Sequence, residues 1–310
     1  MNKRDRKMSR PGRRLALLLF CGIVLIFSAF LTGASSGDAP AASPDPAKTE
    51  WALDSYEIHL MLKSDLVLGE DHLLTQEILD AFQSDGSFKT FTLAYYETPE
   101  RDFSREGWIN RIRLKYEEDD ENSFKLTYKK RYPVPGGDLA AAAALAEKDG
   151  FDLADKSWEK QIEWGFSGMT LSISNDAELP AGTLKTVAEL DPAEAFTAIK
   201  GSMPVEEQNW NAEHWGLDTF ASAKPAGPLS FKRYKGKLAD RKVDVEVWEF
   251  TDLRDDSDHY LTELSFEADD YEEADLGRRM VMYKLLTLGI LQNSDSLKTQ
   301  QILDACLAGS

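Results

Sequence analysis

Positions 112–130 read IRLKYEEDDENSFKLTYKK, with Arg111 just before and Arg131 just after. The odd positions hold Arg111, Arg113 and Lys115, then Lys125, Thr127, Lys129 and Arg131. The even positions hold Ile112, Leu114 and Tyr116, then Phe124, Leu126 and Tyr128. Successive side chains of a strand point to opposite faces, so this period-two pattern predicts a β-hairpin with EEDDEN as its turn. One face is cationic, and the other is apolar and aromatic. Neither can be left alone. The apolar face needs burial, and like charges directly opposed across a strand pair are unfavourable by roughly 0.2–1 kcal/mol unless anions lie among them. Water can screen such a face if the hairpin lies on a surface.

Other predicted strands carry the opposite sign on one face. YLTELSFEA alternates with Glu263, Ser265 and Glu267 together; VDVEVWEF offers Asp244 and Glu246; YEIHLMLK offers Glu57, His59 and Lys63. Strands with charged faces of both signs suit a barrel whose interior is ionic. EDHLLTQEILDAF, DLAAAAALAEK (with Asp138 as N-cap), DPAEAFTAIKG, residues 270–291 and SLKTQQILDACLA read as helices, and WEKQIEW with MTLSIS as a further strand pair. The sum is an α+β chain of mostly antiparallel strands with interspersed helices: one domain over 51–293 and a C-terminal helix in 294–310. His59, Cys306 and the seven tryptophans, Trp158, Trp164, Trp210, Trp215 and Trp248 among them, read first as packing residues.

The amino terminus reads differently. Seven Lys/Arg within positions 1–14 precede seventeen uncharged residues, 15–31, and small residues follow. That is the layout of an export signal over 1–34, with a Pro/Ala/Ser-rich linker over 35–50. The expected location is therefore outside the cytoplasm, periplasmic or otherwise extracytoplasmic. The alternative is an uncleaved anchor, which would be the protein's one attachment to a membrane. Acidic residues outnumber basic ones, 54 to 36, for a formal charge of −18. Nucleic acid is excluded as a partner, because phosphate backbones reward basic surfaces. P-loop, Rossmann and H-E-x-x-H motifs are absent.

The stretch from Tyr95 to Lys130 resembles the signature region of CYTH domains, the triphosphate tunnel metalloenzymes. It holds Tyr95-Tyr96-Glu97-Thr98-Pro99, then Arg111-Ile112-Arg113, then Thr127-Tyr128-Lys129, with Glu57 before and Glu263 and Glu267 after in family order. The resemblance implies a closed antiparallel β-barrel forming a tunnel, with flanking helices. It implies a phosphate-rich small anion, of triphosphate or polyphosphate type, held by Arg111, Arg113 and Lys129, with Lys63, Lys125, Arg131 and Arg233 beside them. It also implies Mg²⁺ or Mn²⁺ on Glu57, Glu263 and Glu163. Arginine forks grip phosphate oxygens, and hard divalent ions take carboxylate oxygens. The pattern departs from the family at the metal. The family's first strand reads Glu-x-Glu-x-Lys, and here it is Glu57-x-His59-x-Met61; the late Glu-x-Glu is Glu263-x-Ser265. Three functions stay open: a diverged metal-dependent phosphohydrolase, a binding or interaction module without the metal centre, and a lipocalin-type carrier with an apolar interior.

Overall fold

The computed structural model describes residues 53–115, 122–295 and 298–307. The predicted signal (1–34), the linker (35–50) and the EEDDEN turn up to residue 121 lie outside the described residues; Asn122, its last residue, opens β4. The strands are β1 (Ser55–Leu62), β2 (Phe88–Glu97), β3 (Trp108–Lys115), β4 (Asn122–Pro133), β5 (Glu159–Trp164), β6 (Met169–Gly182), β7 (Lys224–Leu238), β8 (Arg241–Asp252) and β9 (Ser257–Ala268). The helices are α1 (Ser64–Val67), α2 (Gln76–Ala81), α3 (Asp102–Arg105), α4 (Leu139–Lys148), α5 (Pro192–Ser202), α6 (Val205–Gln208), α7 (Trp215–Phe220), α8 (Tyr271–Thr287) and α9 (Lys298–Cys306). All belong to one unit within residues 43–310.

The strands close into a barrel in the order β1-β5-β6-β4-β3-β2-β7-β8-β9, with β9 returning to β1. The expected closed, mostly antiparallel barrel forms, with one parallel joint: β1 and β5 run parallel, with Glu57 opposite Glu163. Parity requires it. Strand directions cannot alternate all the way round a ring of nine, so at least one neighbouring pair must be parallel.

The predicted hairpin forms, with Arg111 opposite Thr127 and Arg113 opposite Lys125. Its even face is outside the barrel but not in water: Ile112, Phe124, Leu126 and Tyr128 are buried under a helical layer. The Tyr128 hydroxyl donates to the Ile199 carbonyl at 2.8 Å and meets Ser202 Oγ at 2.6 Å, both on α5. Burying four such side chains stabilises the fold by about 1.5–3 kcal/mol each. Asp138 caps α4 as predicted, accepting from the Ala141 amide at 3.0 Å. The helix predicted over EDHLLTQEILDAF is shorter, because Thr75 caps it at Gln76. Helix α9 packs onto the barrel: Ile302, Leu303 and Ala305 join Leu93, Phe231, Trp248 and Phe250 in a second apolar cluster. Among the described residues no helix is long and apolar enough to cross a membrane.

Candidate functional site: an ion-lined bore

Odd positions from Arg111 to Arg113 of β3 and from Lys125 to Arg131 of β4 face into the barrel. Arg111, Arg113, Lys125, Lys129 and Arg131 all line a cavity of about 450 Å³ there, joined by Arg233 from β7. Glu57, Glu163 and Glu263, from β1, β5 and β9, line it as well. Lys63 does not, and its assignment to the bore is corrected. β1 ends at Leu62, so the alternation stops before Lys63; its exposed ammonium donates instead to the Gly289 carbonyl at 2.8 Å.

The bore is a chain of paired charges. Lys129 Nζ and Arg131 Nε each donate to Glu163, at 2.8 Å to its two different oxygens. Burial opposes the charge on Glu163, but Arg131 and Lys129 outweigh it and hold the carboxyl well below the ordinary carboxylate range. His59 bridges two carboxylates: Nε2 lies 3.1 Å from Glu57 Oε2 and Nδ1 lies 3.2 Å from Glu263 Oε1. A carboxylate oxygen beside each ring nitrogen favours the protonated ring. Burial disfavours that charge, and Glu57 and Glu263 more than offset it, raising His59 well above its usual value. Lys298 Nζ, reaching in from α9, donates to Glu263 Oε1 at 2.7 Å and to Glu246 Oε2 at 2.8 Å. Glu246 also accepts from Arg233 (2.6 Å from Nη2) and from Trp248 Nε1 (2.8 Å). Lys125 pairs with Asp176 at 2.5 Å.

Two cations break this pattern. Among the described residues, Arg111 and Arg113 have no carboxylate within 4 Å, and the Nε–H of each is buried without an acceptor. Arg111 donates only from Nη2, to Thr127 Oγ1 at 3.1 Å. Arg113 lies over the Phe91 ring, 5.8 Å from its centre. Burial, with Arg111 and Arg233 alongside, pulls the Arg113 guanidinium down to about 10. Enclosed, mutually repelling cations with unmet N–H groups are costly to hold empty.

A divalent ion is a separate question. Glu57, His59 and Glu163 each offer a ligand atom within 4.8 Å of the others, a grouping that could hold a metal. The two carboxylates fit a hard cation. The imidazolium does not, since neither nitrogen has a lone pair to give. Glu263 stands apart from that group, committed to His59 and Lys298. An ion here would be held by carboxylates, in competition with protein cations already on them.

Sequence reasoning missed Lys298 altogether, and it placed Glu246 only on a charged strand face. Glu246 alternates in VDVEVWEF and could have been carried inward with Asp244. Nothing in SLKTQQILDACLA marks Lys298, because which face of α9 meets the bore is set by Ile302 and Leu303 packing on the barrel.

No protein-family model matches the chain, and a sequence comparison with curated proteins finds no match. Solved structures with a similar course exist. A candidate adenylate cyclase from Bacillus halodurans is 14% identical, with 80% of this chain and 97% of that one covered, at a TM-score of 0.45. A candidate adenylyl cyclase from Hippeastrum, described as having a dominant triphosphatase activity, is 13% identical over 80% and 94%, at 0.41. A Pyrococcus horikoshii protein is 15% identical over 79% and 98%, at 0.39. At these scores the likeness carries no weight for the site, whose description rests on the side chains above. Those side chains define a class: a closed barrel with an ionic bore and an apolar coat.

Proposed function

We propose that this is a CYTH-like tunnel protein that binds a phosphate-rich small anion in its bore. The observation that carries this is the pair Arg111 and Arg113: half-buried, two residues apart on one face, each with a buried Nε–H that has no acceptor, and without carboxylate partners among the described residues. Among the described residues, Lys125, Lys129, Arg131, Arg233 and Lys298 in the bore each have a carboxylate within 4 Å. A chain of phosphates supplies several anionic oxygens in a row, matching guanidinium forks set two residues apart on one strand face. The ionic lining speaks against an apolar cargo.

An anion that binds only the folded protein, at about 100 times its dissociation constant, adds about 2.7 kcal/mol of stability. Tripolyphosphate is expected to raise the melting temperature clearly, and orthophosphate at equal ionic strength to do little. Arg113→Ala should remove most of that rise relative to the variant's own unliganded state. Lys63→Ala, outside the bore, should leave it intact. Equal responses from the two variants would sink the proposal. The grouping of Glu57, His59 and Glu163 favours a second reading, a diverged metal-dependent phosphohydrolase. Phosphate release from tripolyphosphate on adding Mg²⁺ or Mn²⁺ would support it; binding without turnover under either ion leaves a binding module.

We also propose export, from the seven cations ahead of the uncharged run at 15–31. Residues 1–45 fused to a reporter that matures only outside the cytoplasm should give signal. A silent fusion that is nevertheless expressed would refute it.

A further inference from the structure

Helix α8 is apolar on two faces. Ala274, Gly277, Val281 and Leu285 are buried where it packs on β1 and β9. On its outer side Leu276, Met280, Tyr283 and Leu286 form a second stripe, each between 42% and 69% exposed among the described residues. Positions spaced by four, three and three lie along one side of a helix. A helix that is apolar all round belongs in an interior. This one cannot turn to hide its second stripe. A Cβ at Gly277 would collide with the Arg241 guanidinium, Arg241 donates to Glu273 at 2.7 Å, and Arg278 Nε donates to the Gly165 carbonyl at 2.8 Å. Exposed apolar surface gathered in this way marks a contact with a partner.

The charges say which partner. Asp269, Asp270, Glu272, Glu273 and Asp275 crowd the start of the helix, with no cation among them. Arg278, Arg279 and Lys284 follow, with no acid among them. Glu272 and Lys284 are both exposed. A second copy of the helix, laid antiparallel across a two-fold axis, sets the acidic half on the basic half and the stripe on the stripe. A parallel pair would set like charges together. The helix dipoles also favour the antiparallel sense, with each positive end beside a negative one. The surface is thus complementary to itself, which is what a two-fold contact requires.

We infer that the protein forms a two-fold dimer through α8, with the axis near Met280. In that register Leu276 lies level with Tyr283 of the second copy, and Lys284 lies level with the acidic turn at 272–275. The bore is lined by strands and by α9, so the inference is independent of what the bore binds.

The test is sedimentation of the full chain over a wide range of concentration. The mass should rise from one chain to two and no further, because a two-fold contact closes on itself. Tyr283→Glu alters the most exposed side chain of the stripe. It should weaken the dimer by about thirtyfold or more, the effect of losing a hot-spot residue, and leave the melting temperature of the monomer unchanged. Orientation is read by cross-linking in a Cys21→Ser, Cys306→Ser background. Met280→Cys should give a disulfide-linked dimer under mild oxidation, because the axis brings its two copies together. Leu276→Cys should not, since its two copies would lie about 10 Å apart along the helices, beyond the reach of a disulfide. A parent that stays monomeric would overturn the inference. So would an association that survives Tyr283→Glu, as one through the apolar run at 15–31 would. Leu276→Cys linking as readily as Met280→Cys would mean a parallel pair and refute the charge argument.

Discussion

Replacing Lys298 by methionine is expected to destabilise the protein by about 3–5 kcal/mol, the range for removing one partner from a buried ion cluster. The Lys298 side chain is 15% exposed and sits between Glu246 and Glu263, which are 8% and 7% exposed. Methionine keeps the stem against the Trp248 ring and deletes the charge. Glu246 keeps Arg233 and Glu263 keeps His59, so the lower part of the range is expected. The pH dependence follows from signs. Burial opposes the charge on Glu263 and Glu246, but Lys298 with their other partners outweighs it, holding both carboxyls at about 2. A depressed carboxylate contributes stability that is present above its unfolded value near 4.5 and lost as pH falls through 2. The gap between parent and Lys298→Met should therefore be widest near neutrality and shrink between pH 4.5 and 2. Urea denaturation across that window reads it directly. A loss under about 1 kcal/mol at pH 7 would mean that the cluster is solvated after all.

Glu207→Gln should act in the opposite direction. Glu207, on α6, is completely buried; Asn110 donates to its Oε1 at 2.7 Å, and its Oε2 has no partner among the described residues. Burial is the main cause that pushes its carboxyl up to about 8; Asn110 opposes this and Glu97 adds to it. Here the folded-state value is raised. Stability is fully present below about 4.5 and is lost as pH rises through 8, because folding then requires a proton that the unfolded chain has released. Glutamine has the same shape and no charge at any pH. The variant should match the parent near pH 4.5 and gain on it up to pH 8, by an amount on the order of a few kcal/mol. Asn110 Oδ1 also lacks a donor, so an amide pair can form there. Melting temperatures of both proteins at pH 5 and pH 8 decide the matter. A constant difference between them would show that Glu207 is not a neutral acid in the fold.

The contrast between these two residues shows what a sequence can and cannot display. The bore was legible because alternation is a local signal: Arg111, Arg113, Lys125, Lys129 and Arg131 announce a shared face before any partner is known. The barrel was legible because strands of complementary charge need one another. Lys63 misled because alternation does not say where a strand ends; hydrogen bonding of the Lys63 amide to Ile290 decides that. The Lys298 and Glu207 roles are set by packing across long sequence separations. VEEQ and SLKTQQ look like ordinary solvated helix in sequence, yet one supplies a buried acid and the other a cation for two strands. The parallel joint was missed because it depends on the parity of the whole ring.

That joint governs the order in which the barrel can be assembled. β1 emerges first from a growing chain, yet its two neighbours are β5 and β9, the latter paired through Glu57 opposite Glu267 and His59 opposite Ser265. Hairpins such as β3–β4 and β7–β8 close over short loops, but β1 must wait for nearly the entire polypeptide before both its edges are satisfied. Contacts so distant in sequence are slow to form, because loop-closure entropy is spent before they reward it. The carboxylate bridge from Glu57 through His59 to Glu263 is therefore a late event, and until then the first strand is an open edge in search of a partner.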